Sequence, residues 1–307
     1  MLDVRRLRLL RELARRGTIA AVAEALAYTP SAVSQQLTAL EREAGVPLLE
    51  RTGRSVTLTP AAVRLVEHAE SILAVLAQAS SELATARTEL TGTLRIGAFP
   101  TAIRSILSPA LVTLSRDHPH LELLVTELDP AGAPAALRAE SLDIALVQEY
   151  DYVPVGPDPG LDTEPLLEET VYLATMTPAS EPPTDLRPDT ATSGREVVAA
   201  HADSPWIAST PGTLCHTMTV RACLATGFTP RIRHHADDFS TVLALVSAGQ
   251  GVALVPELGA HTVPPNVTLT PLPTHRRTHL AYRRGTARHP VITAARAALH
   301  TAATTLT

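Results

Sequence analysis

Lysine is missing from this chain: all 26 of its basic side chains are arginine. A phosphate-binding loop of the GxxxxGKS or GxxxxGKT type therefore cannot occur. Aromatic residues make up only 3%, so any core must be built from Ala, Val and Leu. Cysteine occurs twice, as Cys215 and Cys223, within one predicted helix. Eight residues of straight helix hold two Cα atoms about 12 Å apart, beyond the reach of a disulfide. Both are read as reduced core thiols. No apolar run approaches the roughly 18 residues that would span a bilayer. A helical pattern begins directly after Met1 with no apolar leader, so no signal peptide is predicted and a cytoplasmic location is expected.

Catalytic signatures are missing too. GxSxG does not occur, and no nucleophile with its base is apparent. Twelve histidines are present. His234, His235, His275, His279 and His289 lie in Arg-rich or loop surroundings, and none joins Cys or acids at a zinc-site spacing. No catalytic residue, no metal and no cofactor is therefore expected.

What is present is a 307-residue chain with 45% hydrophobic residues, enough for two or three domains with sizeable cores. The net charge of −5 is unevenly spread. Residues 1–60 hold nine Arg against six acids, +3, and the remainder holds seventeen against twenty-five, −8. A basic head thus precedes an acidic body.

The head is organised around residues 17–54. Thr18 caps a predicted helix over Ile19–Ala27, with Ile19, Val22, Ala23 and Leu26 on one face. Tyr28 and Thr29 break it. Thr29 then caps a second helix with Pro30 in its first turn, where a missing N–H costs nothing. Val33, Leu37 and Leu40 face inward, while Ser31, Ser34, Gln35 and Thr38 face out. Such a pair is a helix-turn-helix whose second helix suits phosphate and base-edge contact. A first helix over 4–16 carries Leu7, Leu10, Leu13 and Ala14 on one face. Arg5, Arg6, Arg8, Arg11, Arg15 and Arg16 cover the rest, either solvated or near phosphates. PLLERTGRSVTLTP reads as a hairpin turning at Thr52, Gly53 and Arg54, a wing with Arg51 and Arg54 placed for phosphate or minor-groove contact.

From Pro60 to Leu90 one long helix is predicted. Leu65, Ala69, Ile72, Leu76, Ala79, Leu83, Ala86 and Leu90 follow 4-3 spacing, a coiled-coil seam that favours a dimer over packing on the chain's own body. Leu65, Ile72, Leu76 and Leu83 are the expected dimerisation residues. After Thr91-Gly92, strands alternate with helices, as in a parallel α/β sheet. LRIGA, LELLVTEL and LDIALVQ are strands, ETVYLATM leads toward a second lobe, and residues 177–205 read as mostly loop. PWIAS, RIRHHA, GVALVP, NVTLTPL and HLAYR are further strands. TLCHTMTVRACLATG, FSTVLALVSAG and VITAARAALHTAAT are helices, and Asp237-Asp238 read as N-cap residues of the second of these. Two α/β units with the chain crossing between them imply two lobes and a cleft, with ligands at strand ends.

Two other readings compete with a DNA-binding one. An α/β hydrolase or transferase with a helical appendage would need the catalytic set that is missing. A solute-binding protein would need an export signal.

These residues resemble the LysR-type transcriptional regulators over nearly the whole chain. The likeness is strongest in AVSQQLTALEREAGVPLLERTGRSVTLTPA and continues in LDIALV, ATGFTPRI and VSAGQGVALVP. It implies an α/β protein with an N-terminal winged helix-turn-helix (1–60), a linker and dimerisation helix (61–90), and a two-lobed, periplasmic-binding-protein-like effector domain (91–307). Lobe I would be about 91–165 with 265–307, and lobe II about 166–264. It also implies a homotetramer built as a dimer of dimers, and a small-molecule effector. Expected partners are double-stranded promoter or operator DNA, that effector, further copies of the chain as a homodimer or homotetramer, and RNA polymerase; a membrane is not among them. Ser34 stands where the family has a DNA-contacting Ser. Pro30, Ser31 and Gln35 stand where many members have Gln, Pro and Arg, so the usual base preference does not transfer. The expected DNA-binding set is Thr29, Pro30, Ser31, Ser34, Gln35, Thr38, Arg51 and Arg54. FPTA looks like the family's first ligand-binding turn, and Ser209-Thr210 the equivalent in the other lobe. With Gln148 at the end of the third strand, the expected effector contacts are Pro100, Thr101, Gln148, Ser209 and Thr210.

Overall fold

The computed structural model describes residues 1–52, 55–85, 89–177 and 194–306, with the backbone alone for Arg51, Thr52 and Ser55. Helices α1 (Val4–Arg16), α2 (Ile19–Ala25) and α3 (Pro30–Ala44) form the head. Each start is fixed by a side chain. Asp3 accepts from the Arg5 amide at 2.8 Å, Thr18 from Ala21 at 3.2 Å and Thr29 from Ala32 at 3.2 Å. These caps satisfy amides that a helix leaves unpaired. Leu7, Leu10, Leu13, Val22, Val33, Leu37 and Leu40 share one core. Strands β1 (Leu49–Thr52) and β2 (Ser55–Leu58) pair antiparallel. Glu41 of α3 anchors the wing by accepting from the Leu48 and Leu49 amides, both at 3.0 Å. Gly53 and Arg54, the expected wing tip, lie outside the described residues.

The arginines of α1 are neither solvated nor free for phosphate, apart from the exposed Arg5. Arg11 is buried against Glu12, Arg6 pairs with Glu43, and Arg8 with Glu140. Arg15 bridges Glu70 at 2.5 Å and Asp158 at 3.1 Å, tying the head to the helix and body that follow.

Helix α4 runs Pro60–Ala84, capped by Thr59, and is about 37 Å long. The helix expected to reach Leu90 therefore stops earlier: Ala86 lies outside the described residues, and Leu90 packs against the body's core. The expected seam is also divided. Leu65 packs against the head's core and Ala69 is buried there, because α1 lies along this end of α4. Further on, Ile72, Val75, Leu76 and Leu83 are exposed. The opposite face carries small residues and meets the chain's own body. A Cβ on Gly285, whose φ is +87°, would come within 2.2 Å of the Ala74 carbonyl oxygen, and Ser81 Oγ donates to the Gly285 carbonyl at 3.3 Å. Only a glycine permits this approach.

The body contains β3 (Gly92–Ala98), β4 (Leu121–Glu127), β5 (Ile144–Tyr150) and β6 (Leu161–Met176). Helices α5 (Pro100–Ala102), α6 (Ser108–Asp117) and α7 (Ala133–Arg138) lie between the first three strands. Then come α8 (Gly194–Ala199), β7 (Pro205–Ala208), α9 (Leu214–Ala225), β8 (Arg231–His235), α10 (Phe239–Ser247), β9 (Ala253–Pro256), β10 (Val267–Arg283) and α11 (Pro290–Thr304). Six strands form one sheet in the order β4-β3-β5-β10-β6-β9, and β7 pairs β8 apart from it.

Three expectations change. The sheet is mixed, because β10 runs antiparallel to both β5 and β6. The two strands expected at 266–283 are one strand of 17 residues. Its pairing with β6 shifts between Pro271 and His275, around Pro273, which has no N–H to donate. Within the segment expected to be loop, Gly194–Ala199 is helical, while 178–193 lie outside the described residues. The two long strands β6 and β10 pass from one lobe to the other. Lobe I packs Leu94, Ile96, Leu146 and Leu280 against α6 and α11. Lobe II packs around Trp206, Leu173 and Leu254, with the indole Nε1 donating to the His201 carbonyl at 3.1 Å.

Candidate functional sites in the head and the interlobe cleft

On α3 the inward positions Val33, Leu37 and Leu40 are buried, while Pro30, Ser31 and Gln35 are exposed and Ser34 and Thr38 half-buried. Thr29 uses its hydroxyl for the cap. Pro30 in the first turn and Thr29 before it bring the start of α3 to the surface, with hydroxyl and amide groups on the face away from α1 and α2. Backbone alone is described at Arg51.

The second site lies between the lobes. A cavity of about 310 Å³ is lined from lobe I by Phe99, Pro100, Thr101 and Gln148, and from lobe II by Ser209, Thr213 and Cys215. Of the five expected effector contacts, Pro100, Thr101, Gln148 and Ser209 line it. Thr210 lies beside it, with its amide and hydroxyl donating to Asp237 at 2.8 and 2.7 Å. Asp238 caps α10 by accepting from the Thr241 amide at 3.1 Å, as expected of an N-cap residue. Its hydrogen bond from the Ser240 hydroxyl holds its pKa below the ordinary value, against the opposing effect of partial burial.

The floor is Arg276, a residue that sequence reasoning missed. It sits on the crossing strand β10 and is 1% exposed. Its Nε donates to Glu169 Oε1 at 2.6 Å, one terminal nitrogen to Gln148 Oε1 at 3.2 Å, and the other to Thr101 Oγ1 at 3.0 Å. Its guanidinium carbon lies 5.0 Å from the centre of the Phe99 ring. Burial pushes the Arg276 pKa down, but the adjacent Glu169 carboxylate outweighs this and the pKa is raised overall. Thr101 and Gln148 therefore both hold the buried guanidinium, which changes what they can offer a ligand. Arg276, one of two adjacent arginines in THRRTHLAYR, carries no signal of this role in the sequence, since its partner Glu169 is remote in the chain.

Cys223 is a buried core thiol as expected, and burial pushes its pKa up to about 12. Cys215 departs from expectation: it is half-buried and lines the cleft. Its Sγ lies 3.2 Å from the Tyr150 hydroxyl and 3.5 Å from Gln148 Nε2. The start of α9 faces the other lobe, so the same helix holds one thiol in the core and one at the cavity. Among the described residues no group of His, Cys, Asp and Glu is arranged to hold a metal ion, and no helix is long and apolar enough to cross a membrane.

A helix-turn-helix head joined by a helix to a two-lobed body with a ligand-sized cleft defines a ligand-responsive DNA-binding regulator. Comparison with known proteins gives the family. Residues 4–63 match the model described as bacterial regulatory helix-turn-helix protein, lysR family, and residues 87–304 the LysR substrate binding domain. The HTH-type transcriptional regulator ShiR of Corynebacterium glutamicum is 30% identical, over 87% of this chain and 91% of that protein. The transcriptional dual regulator GltC of Bacillus subtilis is 27% identical, over 83% of this chain and 81% of that protein. Among solved structures, an H2O2-bound cysteine-to-serine mutant of Corynebacterium glutamicum OxyR superposes with a TM-score of 0.56 at 28% identity, covering 100% of this chain and 96% of that one. The chain belongs to the LysR family of transcriptional regulators. It is a DNA-binding regulator with an effector-binding domain, and not an enzyme.

Proposed function

We propose that this regulator reads its operator as a symmetric dimer and that a small molecule in the interlobe cleft sets how it sits on DNA. The observation that carries the reading is Arg276: one side chain on a crossing strand holds Thr101 and Gln148 of lobe I and Glu169 at the lobe junction. A guest touching Gln148 on one side and Ser209 on the other binds one lobe arrangement better than another. That difference in affinity is the coupling free energy.

In this reading α3 enters the major groove through Thr29, Pro30, Ser31, Ser34, Gln35 and Thr38, and Arg51 and Arg54 of the wing take phosphates. The exposed face of α4, with Ile72, Leu76 and Leu83, joins two copies. Two heads then read half-sites about 34 Å apart. Dimers pair into a tetramer, RNA polymerase is a further partner, and the protein works in the cytoplasm, where its DNA is. Leu65 contributes by holding α4 to the head rather than by facing the second copy.

The test has two arms. A mobility-shift assay on the chain's own upstream region should show a discrete complex that survives competitor DNA. A thermal-shift screen of metabolites should find a compound that raises the melting temperature by mass action and alters that complex. Failure to retard any upstream DNA would overturn the first half. Stabilising compounds that leave the complex unchanged would overturn the second.

A second reading is favoured by Cys215 in the cleft, together with the likeness to an OxyR structure described as H2O2-bound. Here the input is peroxide: the Cys215 thiolate attacks one peroxide oxygen, the O–O bond breaks, water leaves, and the sulfur becomes a sulfenic acid. Dimedone labelling of Cys215 after peroxide treatment, with a changed operator complex, would support it. An unaltered thiol would reject it.

A further inference from the structure

Several anion donors around the interlobe cavity are already engaged by carboxylates of the chain itself. The Thr210 amide and hydroxyl donate to Asp237. The first turn of α10 is closed by Asp238. Arg276 is neutralised by Glu169, with both side chains almost fully buried. Arg104 at the rim lies 3.6 Å from Asp238. Among its charged side chains the cavity therefore presents mainly acceptors. Glu127, Asp129, Asp237 and Asp238 line it, against Arg104 as the lining guanidinium without a buried counter-charge. The Glu127 carboxylate makes no hydrogen bond or ion pair among the described residues. Asp237 uses one lone pair on each oxygen for Thr210, and a carboxylate has about four such sites.

A second observation points to a guest. Ser209 is only 7% exposed and lines the cavity. Its carbonyl accepts from His235 Nδ1 at 3.0 Å, but its hydroxyl has no partner among the described residues. That hydroxyl keeps its donor and acceptor capacity for a guest. Beside it, Phe99, Leu128 and Phe239 supply apolar wall. At about 310 Å³ the cavity lies at the small end of ligand sites.

We propose that the effector is a small organic cation, its ammonium or amidinium group held by Glu127, Asp237 and Asp238, and its apolar part against Phe99 and Phe239. This rests on the cleft being the effector site. An anionic guest would instead face carboxylates of its own charge sign, which disfavours it.

Three planar isosteres test the charge directly on the full-length chain: benzamidine, benzamide and benzoate, compared by thermal shift and calorimetry. Benzamidine should raise the melting temperature and bind at least ten-fold more tightly than benzoate, with benzamide between them. Glu127→Gln, at an exposed position that holds nothing else in place, should weaken benzamidine several-fold and leave benzamide unchanged. Benzoate binding as tightly as benzamidine, or more so, overturns the charge assignment and leaves the cleft as the effector site. No shift with any of the three overturns both.

Discussion

Arg276 and Glu169 face each other at 2.6 Å inside the body, with side chains 1% and 2% exposed. The pair lies where the two crossing strands run side by side, and Glu169 also accepts from the Leu258 amide at 2.6 Å. Removing one member strands a buried charge. Glu169→Ala should therefore cost about 3–5 kcal/mol of stability. Replacing both, as Arg276→Met with Glu169→Leu, should return most of that loss, since two apolar side chains need no counter-charge. Urea denaturation of the single and double variants measures this. A single-variant loss no larger than that of the double would contradict it.

The two cysteines should differ in reactivity. With its pKa pushed up to about 12 by burial, Cys223 carries almost no thiolate near neutral pH. Iodoacetamide should add once to the native chain, at Cys215, and twice after unfolding, as read by mass spectrometry. Cys215→Ser should leave the native chain unmodified. Native modification of Cys223 at a comparable rate would refute the difference in environment.

Leu76 is 45% and Leu83 77% exposed on α4, while Ala74 and Ser81 on the other face meet the body. Leu76→Glu should therefore halve the mass in solution and leave the far-ultraviolet dichroism of the chain intact. A Leu76→Glu protein of unchanged mass would place the self-association surface elsewhere.

Glu164 accepts from Arg296 Nε and a terminal nitrogen, both at 2.6 Å, and these bonds hold its pKa below the ordinary value despite partial burial. Over a range below the ordinary Glu value near 4.5, the folded chain keeps this carboxylate ionised while the unfolded chain binds a proton. Its contribution is thus full above that value and is lost as pH falls through the lower folded pKa. Glu164→Gln should flatten the decline of stability between about pH 5 and pH 3. An equally steep acid limb in the variant would show that other groups carry it.

If Ser34 faces the groove as proposed, Ser34→Ala should weaken binding to the operator more than to random DNA, because a contact near base edges acts on sequence. Arg51→Ala should weaken both alike and reduce the slope of log affinity against log salt by about one. Titrations at several salt concentrations separate the two. Equal losses for Ser34→Ala on both DNAs would remove it from base-proximal contact.

Much of the architecture is legible in the amino-acid order because it rests on short-range rules. Thr18, Thr29 and Thr59 each sit three residues before the amide they cap, and the inward face of α3 repeats every three to four residues. The absence of lysine, the scarcity of aromatics and the basic head over an acidic body are plain in the composition. The turns at Pro100–Thr101 and Ser209–Thr210 are visible as strand ends followed by helix starts.

Only the tertiary structure decides the rest. The partners of Arg15 lie 55 and 143 residues away, and those of Arg276 lie 107, 128 and 175 residues away. An arginine looks alike in sequence whether it is solvated, paired across domains or buried under a cleft. The same holds for the seam of α4, whose spacing is uniform although one end is covered by the head and the other is exposed. Capping and periodicity act within one turn of helix, so the sequence alone determines them. Burial of charge, and the division of one helix between two neighbours, depend on where distant segments meet: β6 and β10 bring Arg276 to Glu169, while α1 and the turn at Gly285 divide α4.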